Sequence, residues 1–295
     1  MRIAITGATG FIGSSLVASL EADGHTVQRL TRHPQRPNDV AFDPARQLLD
    51  PHALEGVDAV VHLAGEVVAQ RWTGAAKRRI RESRVDGTRL VAGTIAALAE
   101  KPKVLVSGSA IGYYGDRGDE LLTEASAPGD DFLAEVCRAW EGAADAARAA
   151  GVRVVHPRTG VVLDRHGGAL ARMLPPFRLG LGGPTGSGRQ WVSWISLADA
   201  VAGLRFAIDE VAIEGAMNLA SAEPVTNREL TSALGRALNR PAVIPTPPIA
   251  LRLVYREMAD ATLMASQRAF PVVLQRNGFS FRHPTIDVAM RAALE

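Results

Sequence analysis

The stretch RIAITGATGFIG, residues 2–13, determines how this chain begins to fold, because a short apolar run leads straight into three glycines spaced three apart. A helical pattern of apolar residues then continues from Phe11 to Ala22. Glycines in such a turn let the backbone bend sharply and approach a pyrophosphate, and the first helical turn offers N–H groups to the phosphates. The stretch therefore predicts a dinucleotide site, with a ligand-free glycine turn as the alternative. The residues expected there are Gly7, Thr9, Gly10, Phe11, Ile12 and Gly13.

Strand-like and helix-like segments alternate along the rest of the chain. Strands are predicted at 26–31, 57–63, 104–107, 152–155, 191–195 and 216–219, and helices at 73–100, 133–150 and 197–208. The alternation predicts an α/β fold with a Rossmann-type, doubly wound parallel sheet covered by helices on both faces. Residues 167–188 are rich in glycine and proline and predict a loop with at most one helix, near 169–177. The tail from residue 245 onward is predicted to be mostly helical.

Composition excludes several classes of protein. Of 295 residues, 47% are apolar and 22% charged, with a formal charge of only +2, which is typical of a globular protein without a strong field for nucleic acid. Cys137 is the single cysteine and the seven histidines are dispersed, so neither a disulfide nor a metal site is predicted. No stretch of about 18 apolar residues and no leader-like segment occurs, so we expect no membrane span and a cytoplasmic protein.

The end of the second strand bears on which cofactor would bind. An NAD site usually has a carboxylate there that binds the ribose hydroxyls, whereas this chain has Thr31 and Arg32. A guanidinium pairs well with a 2′-phosphate, so NADP is the predicted cofactor, and a solvated arginine is the alternative. Leu63, Ala64 and Gly65 follow the next predicted strand, and small residues at a strand's carboxyl end leave room for a cofactor across the sheet edge.

Further motifs carry a resemblance to a known family. TGATGFIG followed by VDAVVHLAG resembles the extended short-chain dehydrogenase/reductase superfamily. The chain is most similar to an atypical epimerase-like subgroup labelled nucleoside-diphosphate-sugar epimerase or cell-division inhibitor SulA, which has its own helical C-terminal domain. The motifs that carry this resemblance are Gly65-Glu66, Arg71-Trp72, Ser83-Arg84, Gly112-Tyr113-Tyr114-Gly115, Trp140-Glu141, RTGVVL at 158–163, PFRLGLGG at 176–183, Gln267–Pro271 and Gly278–Phe281.

The resemblance implies several site residues. Thr31 and Arg32 would hold the adenosine phosphate end of NADP, and Leu63 and Ala64 would line its middle. Arg79 and Arg84 would point at the same site, although both also suit an exposed basic helix face. Val162, just after the 152–155 strand segment, would approach the nicotinamide. The implied organisation is an NADP-binding domain at 1–165 whose sheet takes in segments near 190–220, substrate-side loops and mixed α/β segments at 166–247, and a helical domain at 248–295.

The superfamily's catalytic residues are incomplete in this chain. In the superfamily, a serine orients the substrate oxygen, a tyrosine transfers the proton and a lysine four residues later assists it. Ser109 is placed as that serine, but the expected tyrosine and lysine positions hold Leu133, beside Phe132, and Cys137. The superfamily's mechanism therefore cannot operate here.

Two functions follow from that departure. One is an enzyme in which Ser109 and either Tyr113 or Tyr114 carry the chemistry on a small carbonyl compound or sugar nucleotide. The other is a non-catalytic, NADP(H)-responsive binding protein, in which both tyrosines are packing residues.

Overall fold

A central sheet of parallel strands organises the chain, which the computed structural model describes over residues 1–295. The strands are β1 (Arg2–Thr6), β2 (Thr26–Thr31), β3 (Asp39–Asp43), β4 (Leu48–Leu49), β5 (Ala59–His62), β6 (Val104–Ser107), β7 (Ser109–Ala110), β8 (Leu121–Leu122), β9 (Arg153–Thr159), β10 (Val161–Asp164), β11 (Trp191–Val192), β12 (Trp194–Ser196), β13 (Gly215–Leu219), β14 (Val225–Thr226) and β15 (Arg268–Ala269). The helices are α1 (Phe11–Ala22), α2 (Gly74–Ala97), α3 (Phe132–Gly142), α4 (Asp145–Ala149), α5 (Gly168–Arg178), α6 (Leu197–Asp209), α7 (Asn227–Leu238), α8 (Pro248–Tyr255), α9 (Val272–Arg276) and α10 (Ile286–Leu294).

The order of strands across the main sheet is β13-β9-β6-β5-β1-β2-β3-β4, with β7 beside β9. Every pair in it is parallel except β3 with β4 at one edge. The chain runs in both directions from β1, so a crevice opens between the carboxyl ends of β1 and β5, where open α/β sheets bind ligands. The predicted Rossmann-type fold is confirmed.

Helices cover both faces of this sheet. On one face, α1 and α6 pack over apolar residues of β1, β5 and β6 in a cluster that includes Leu16, Leu204 and Val61. On the other, α2 and α4 pack around Ile95 and Leu105. Strands buried on both faces are expected to be continuous apolar runs, and β1, β5 and β6 are such runs. No helix of the structure is long and apolar enough to cross a membrane.

Several predicted elements need correction. The strand expected third along the chain is β5, because β3, whose apolar residues are flanked by aspartates, and the two-residue β4 were not predicted. The single helix predicted at 133–150 is two helices, α3 and α4, divided at residues 143–144. The strand predicted at 191–195 is β11 and β12, which pair with β14 and β10 respectively.

The C-terminal helix α10 packs against α7 and β10. Helices α5, α7 and α10 share an apolar cluster that contains Leu170, Leu234 and Met290. Helix α7 starts at a capping box in which Thr226 and Glu229 satisfy each other's backbone N–H groups. Strand β15 pairs with β8, so a segment near residue 268 lies beside the loop that follows Tyr114. The segment after residue 245 therefore contacts the rest of the chain at α7, β8, β10 and β13.

Candidate functional site

The three glycines of the first turn have different structural reasons to be glycine. Gly7 has a positive φ of 68°, and a Cβ on it would lie 2.9 Å from the backbone nitrogen of Ala64. A Cβ on Gly13 would collide with the carbonyl of Gly7. Gly10 is exposed, and a Cβ there would meet only the Gly7 oxygen at 3.1 Å. Folding therefore demands glycine at positions 7 and 13, whereas at position 10 it keeps space open to solvent.

The start of α1 is prepared for an anion. The backbone N–H groups of Phe11, Ile12 and Gly13 have no acceptor in the protein, and Gly10 provides no side-chain cap. No acidic residue lies in the first turn to compete for the positive end of the helix dipole. Thr9 is exposed beside these groups, Ile12 is half-buried, and the Phe11 ring packs against Gly167 and Gly168. The predicted pyrophosphate contacts thus lie together.

A buried histidine supports the opposite wall of the crevice. The Thr6 hydroxyl accepts hydrogen bonds from the backbone nitrogens of Leu63 and Ala64 at 3.1 and 3.2 Å. Its one proton therefore goes to His62 Nδ1, 2.7 Å away, which places the imidazole proton on Nε2. Burial, with a further contribution from the charge of Arg84, lowers the pKa of His62 to about 4. A neutral His62 thus holds the half-buried Leu63 and Ala64 at the sheet edge.

At the end of β2, Thr31 is half-buried and Arg32 is exposed with no side-chain partner in the protein. A carboxylate does lie on the neighbouring strand, but Asp39 accepts hydrogen bonds from Arg29 and from two backbone N–H groups. Burial alone would raise the pKa of Asp39, yet the hydrogen bonds from Gln35, Arg29 and Arg36 outweigh it and lower that pKa. This carboxylate is not free for ribose hydroxyls.

The two arginines expected from α2 differ in their surroundings. Arg84 folds under the exposed Gly65, donates to the carbonyls of Glu66 and Ile80, and stacks 5.0 Å from the Trp140 ring. Arg79 is exposed and pairs with Gln70 and Glu66. Arg84 faces the crevice from below Gly65 with no carboxylate in salt-bridge range, whereas Arg79 lies on the outer helix surface.

The side chain of Val162 is buried. This residue lies in β10, three residues beyond the end of β9, and its side chain is 8% exposed within the core cluster under α1 and α6. Packing between those helices explains this position, because an apolar β-branched side chain fits the covered face of a strand. Val162 is therefore a packing residue, and the approach of this position to a nicotinamide stays a prediction.

Ser109 belongs to a buried polar network. Its hydroxyl donates to Glu141 Oε1 at 2.7 Å, and Arg158 binds both oxygens of Glu141 at 2.9 Å. Burial lowers the pKa of Arg158, but its hydrogen bonds with Glu141 raise it above the usual value. Because β7 pairs with β9 at Arg158, the sheet itself brings the serine and the ion pair together. Glu141 therefore holds the hydroxyl proton of Ser109.

The adjacent tyrosines have opposite surroundings. Tyr114 is fully buried, donates to Asn218 at 2.7 Å and accepts from Arg158 at 3.1 Å. Burial raises the pKa of Tyr114 to about 12, and its hydroxyl is already bonded to Asn218 and Arg158, so these surroundings disfavour the predicted role as an acid or base. Tyr113 is half-buried, its ring lies 3.4 Å from the Arg158 guanidinium, and its hydroxyl has no protein partner. Of the two, Tyr113 alone can offer a proton to a ligand.

The positions that replace the superfamily's tyrosine and lysine are apolar in structure as well as in sequence. Leu133 packs on Gly112, and Phe132 stacks edge-on to Trp72 at 5.0 Å. Cys137 is buried, and burial raises the pKa of its thiol to about 12. Sequence reasoning missed the roles of Glu141 and Arg158, although both lie in motifs that it singled out. A buried arginine within a strand needs a carboxylate partner, which is the signal that was available.

Comparison with known proteins gives the family. Residues 3–220 match the model of the NAD dependent epimerase/dehydratase family, and residues 246–293 match a domain of unknown function. The chain belongs to the NAD-dependent epimerase/dehydratase family. Among this family's curated members, an epimerase family protein of Mycobacterium bovis is 46% identical over 290 residues, covering 98% of this chain and 96% of the relative.

A solved family member links the fold to a cofactor. The structure of the human epimerase family protein SDR39U1 was determined with NADPH; it is 34% identical to this chain, covers 100% of both chains and superposes with a TM-score of 0.90. UDP-glucose 4-epimerase of Thermus thermophilus, in complex with NAD, is 21% identical, with coverages of 100% and 98% and a TM-score of 0.76, so it shows the fold alone. This chain is therefore a member of an NAD(P)-dependent protein family.

Proposed function

We propose that this protein is an NADP(H)-dependent oxidoreductase of the epimerase type, acting on a small molecule with a hydroxyl or carbonyl group. The observation that carries the proposal is the hydrogen bond from Ser109 to Glu141, which is itself paired with Arg158. This network supplies a proton acceptor in the region where the superfamily's tyrosine and lysine have been replaced by Leu133 and Cys137.

The residues fit NADP better than NAD. Arg32 has no protein partner and is free to pair with a 2′-phosphate, while the carboxylate of Asp39 is fully engaged. The free N–H groups of residues 11–13 would hold the pyrophosphate. Bound NADP would supply the acceptor or donor of a hydride.

The direction of the hydrogen bonds defines the chemistry of Ser109. A carboxylate paired with an arginine only accepts, so the serine must donate to Glu141 and its lone pairs remain for a ligand. A ligand hydroxyl can donate its proton to Ser109 while the serine's own proton moves to Glu141 Oε1. The reverse transfer protonates the oxygen of a carbonyl group that is being reduced. Tyr113, with its unengaged hydroxyl, is the second proton-active group of the site.

The partner of this site is proposed to be a small molecule, with sugar nucleotides and other carbonyl compounds as the classes to test first. We propose neither nucleic acid nor a membrane as a partner. The proposed compartment is the cytoplasm; a relative from Arabidopsis thaliana, 38% identical over 306 residues, is named chloroplastic, so the compartment differs between relatives.

Calorimetry with NADPH and NADH tests the choice of cofactor. A charge-assisted contact to the 2′-phosphate is worth about 1.5–3 kcal/mol, so NADPH should bind about ten- to a hundredfold more tightly than NADH. Arg32→Glu should narrow or reverse that difference. Equal affinities in the unmodified protein would contradict the proposal.

Turnover measurements test whether the protein is an enzyme and whether Ser109 and Tyr113 take part in the chemical step. Carbonyl compounds and sugar nucleotides are screened for NADPH oxidation and NADP⁺ reduction, and Ser109→Ala should lose at least about tenfold in rate with unchanged NADPH affinity. Tyr113→Phe should also slow turnover. Tyr114→Phe is the control, since that hydroxyl is buried on Asn218 and should change stability more than the chemical step.

A second candidate, an NADP(H)-responsive binding protein, is favoured by one observation: Ser109 is only 4% exposed and already committed to Glu141. In that case the screen yields no turnover, and the two tyrosine variants behave alike. A partner would then be captured differently with and without NADPH, and that combination of results would overturn the enzyme proposal.

A further inference from the structure

The connection between β2 and β3 is unusually short for two parallel strands. The chain leaves β2 after Thr31 and enters β3 at Asp39, so residues 32–38 make the whole crossover, where a dozen or more residues are usual. In the register of the sheet, Asp39 lies opposite Arg29, two residues before the end of β2. The crossover therefore doubles back along the sheet, and it contains no helix to hold its shape.

The side chain of Asp39 holds this crossover in place. It accepts from Arg29 Nε and Nη2 at 2.8 Å each, and from the backbone nitrogens of Gln35 and Arg36 at 2.8 and 3.0 Å. The backbone N–H of Asp39 also donates to the carbonyl of Arg36 at 2.9 Å. The Asp39 side chain is 2% exposed and that of Arg29 is 13% exposed, so the pair is shielded from water. The second half of the crossover is thereby tied to β2 through Arg29.

The crossover displays basic side chains that the protein does not use. Arg32, His33 and Arg36 are exposed, and none of their side chains has a hydrogen-bond or ion-pair partner in the protein. They stand beyond the carboxyl end of β2, where the 2′-phosphate of NADP is proposed to bind. A guanidinium binds phosphate with geometric specificity only when its backbone is held in a fixed position.

We infer that Asp39 and Arg29 are positioning residues that set the preference for NADPH over NADH. Their ion pair fixes the crossover so that its basic side chains meet the 2′-phosphate, and it keeps the Asp39 carboxylate away from the ribose hydroxyls that NADH presents. This inference rests on the NADP preference proposed above. Since NADH has no 2′-phosphate, loosening the crossover should lower the affinity for NADPH and leave the affinity for NADH almost unchanged.

The test compares Asp39→Asn with Asp43→Asn in calorimetric titrations with NADPH and NADH. Asp43 is a matched control from the other end of β3, where its carboxylate accepts from the backbone nitrogen of Ala45 and pairs with Arg46. Asp39→Asn should lower the affinity for NADPH about tenfold and that for NADH less than about twofold. Asp43→Asn should leave both affinities unchanged.

Arg29→Gln removes the other partner and should reduce the preference in the same direction, which keeps the test informative if Asp39→Asn folds poorly. An equal loss of both affinities would overturn the inference, because the pair would then be merely structural. If the unmodified protein prefers NADPH and the variants keep the same ratio of NADPH to NADH affinity, the inference is also overturned. An unmodified protein without any preference would instead refute the proposed cofactor choice, so the two failures are distinguishable.

Discussion

The glycine turn and the Ser109 network lie at the same edge of one sheet, yet they satisfy their polar groups in opposite ways. The turn leaves three consecutive N–H groups, of residues 11–13, without an acceptor in the protein. In the network, side chains bond to one another across β7, α3 and β9, and only Tyr113 keeps a free hydroxyl. The first region leaves donors open to a ligand, whereas the second satisfies most of its polar groups within the protein. A cofactor site can therefore remain intact while the chemistry beside it changes.

Removal of the Arg158 guanidinium should disrupt the Ser109 network more than any other single change. Arg158→Leu leaves the carboxylate of Glu141, whose side chain is 15% exposed, without its ion-pair partner. Loss of one partner from a buried pair costs about 3–5 kcal/mol of the free energy of unfolding, measured by urea denaturation. The exposed pair Arg236–Asp287 is the control, and Arg236→Leu should cost less than about 1 kcal/mol. Similar losses in both variants would mean that the network is no more important than a surface contact.

Two alanine substitutions separate folding from ligand binding within the glycine turn. Gly13→Ala drives a Cβ into the Gly7 carbonyl and should lower the free energy of unfolding by about 2–3 kcal/mol. Gly10→Ala meets only one atom, at 3.1 Å, and should cost less than about 1 kcal/mol while reducing NADPH affinity at least about tenfold. Urea unfolding and calorimetry measure the two effects. Unchanged NADPH binding in Gly10→Ala would assign that glycine to the turn alone.

The pH dependence of the unfolding free energy tests the role of His62 beneath the crevice. The pKa of His62 falls from 6.5 to about 4 in the folded protein, so the unfolded chain binds the proton more readily. The corresponding stability is fully present above pH 6.5 and is lost as the pH falls toward 4. Between pH 7 and pH 5 this group should account for about 2 kcal/mol of the fall in unfolding free energy.

His62→Asn serves as the comparison, because its amide oxygen can still accept from Thr6 but does not titrate. Urea unfolding of both proteins at the two pH values should show a flatter dependence in the variant. An identical dependence would place the acid sensitivity in other groups. It would also show that the wall of the crevice does not depend on a neutral histidine.

The features that the sequence predicted correctly arise from residues that are close together along the chain. The parallel sheet follows from apolar runs alternating with helical patterns, and the glycine turn follows from spacing within residues 2–13. The break between α3 and α4 was not predictable in this way, because residues 143–144 are alanines, which favour helix. The strand β3 was missed because its short apolar core, Val40–Phe42, is flanked by aspartates and follows a proline-containing crossover.

The contacts of the Ser109 network could not be predicted because they join residues far apart in sequence. Glu141 meets Ser109 across 32 residues, and Tyr114 meets Asn218 across 104. Tyr113 and Tyr114 are identical in type and adjacent, and only the turn between β7 and β8 determines which of them faces inward. The predicted division of the chain at residues 165 and 247 stays a prediction.

The segment around β15 has a consequence for the time course of synthesis. Ser266 binds Asp116 across 150 residues, and Val273 donates to Glu124 across 149. At about 5–20 residues per second, a ribosome needs roughly 8–30 s to produce the second partner after the first. Throughout that interval the loop after Tyr114 has no covering strand, and Glu124 lacks the donor from Val273. The loop after Tyr114 is therefore among the last parts of the protein to be completed during synthesis, and defects in residues 266–273 should appear first as a poor yield of folded chains.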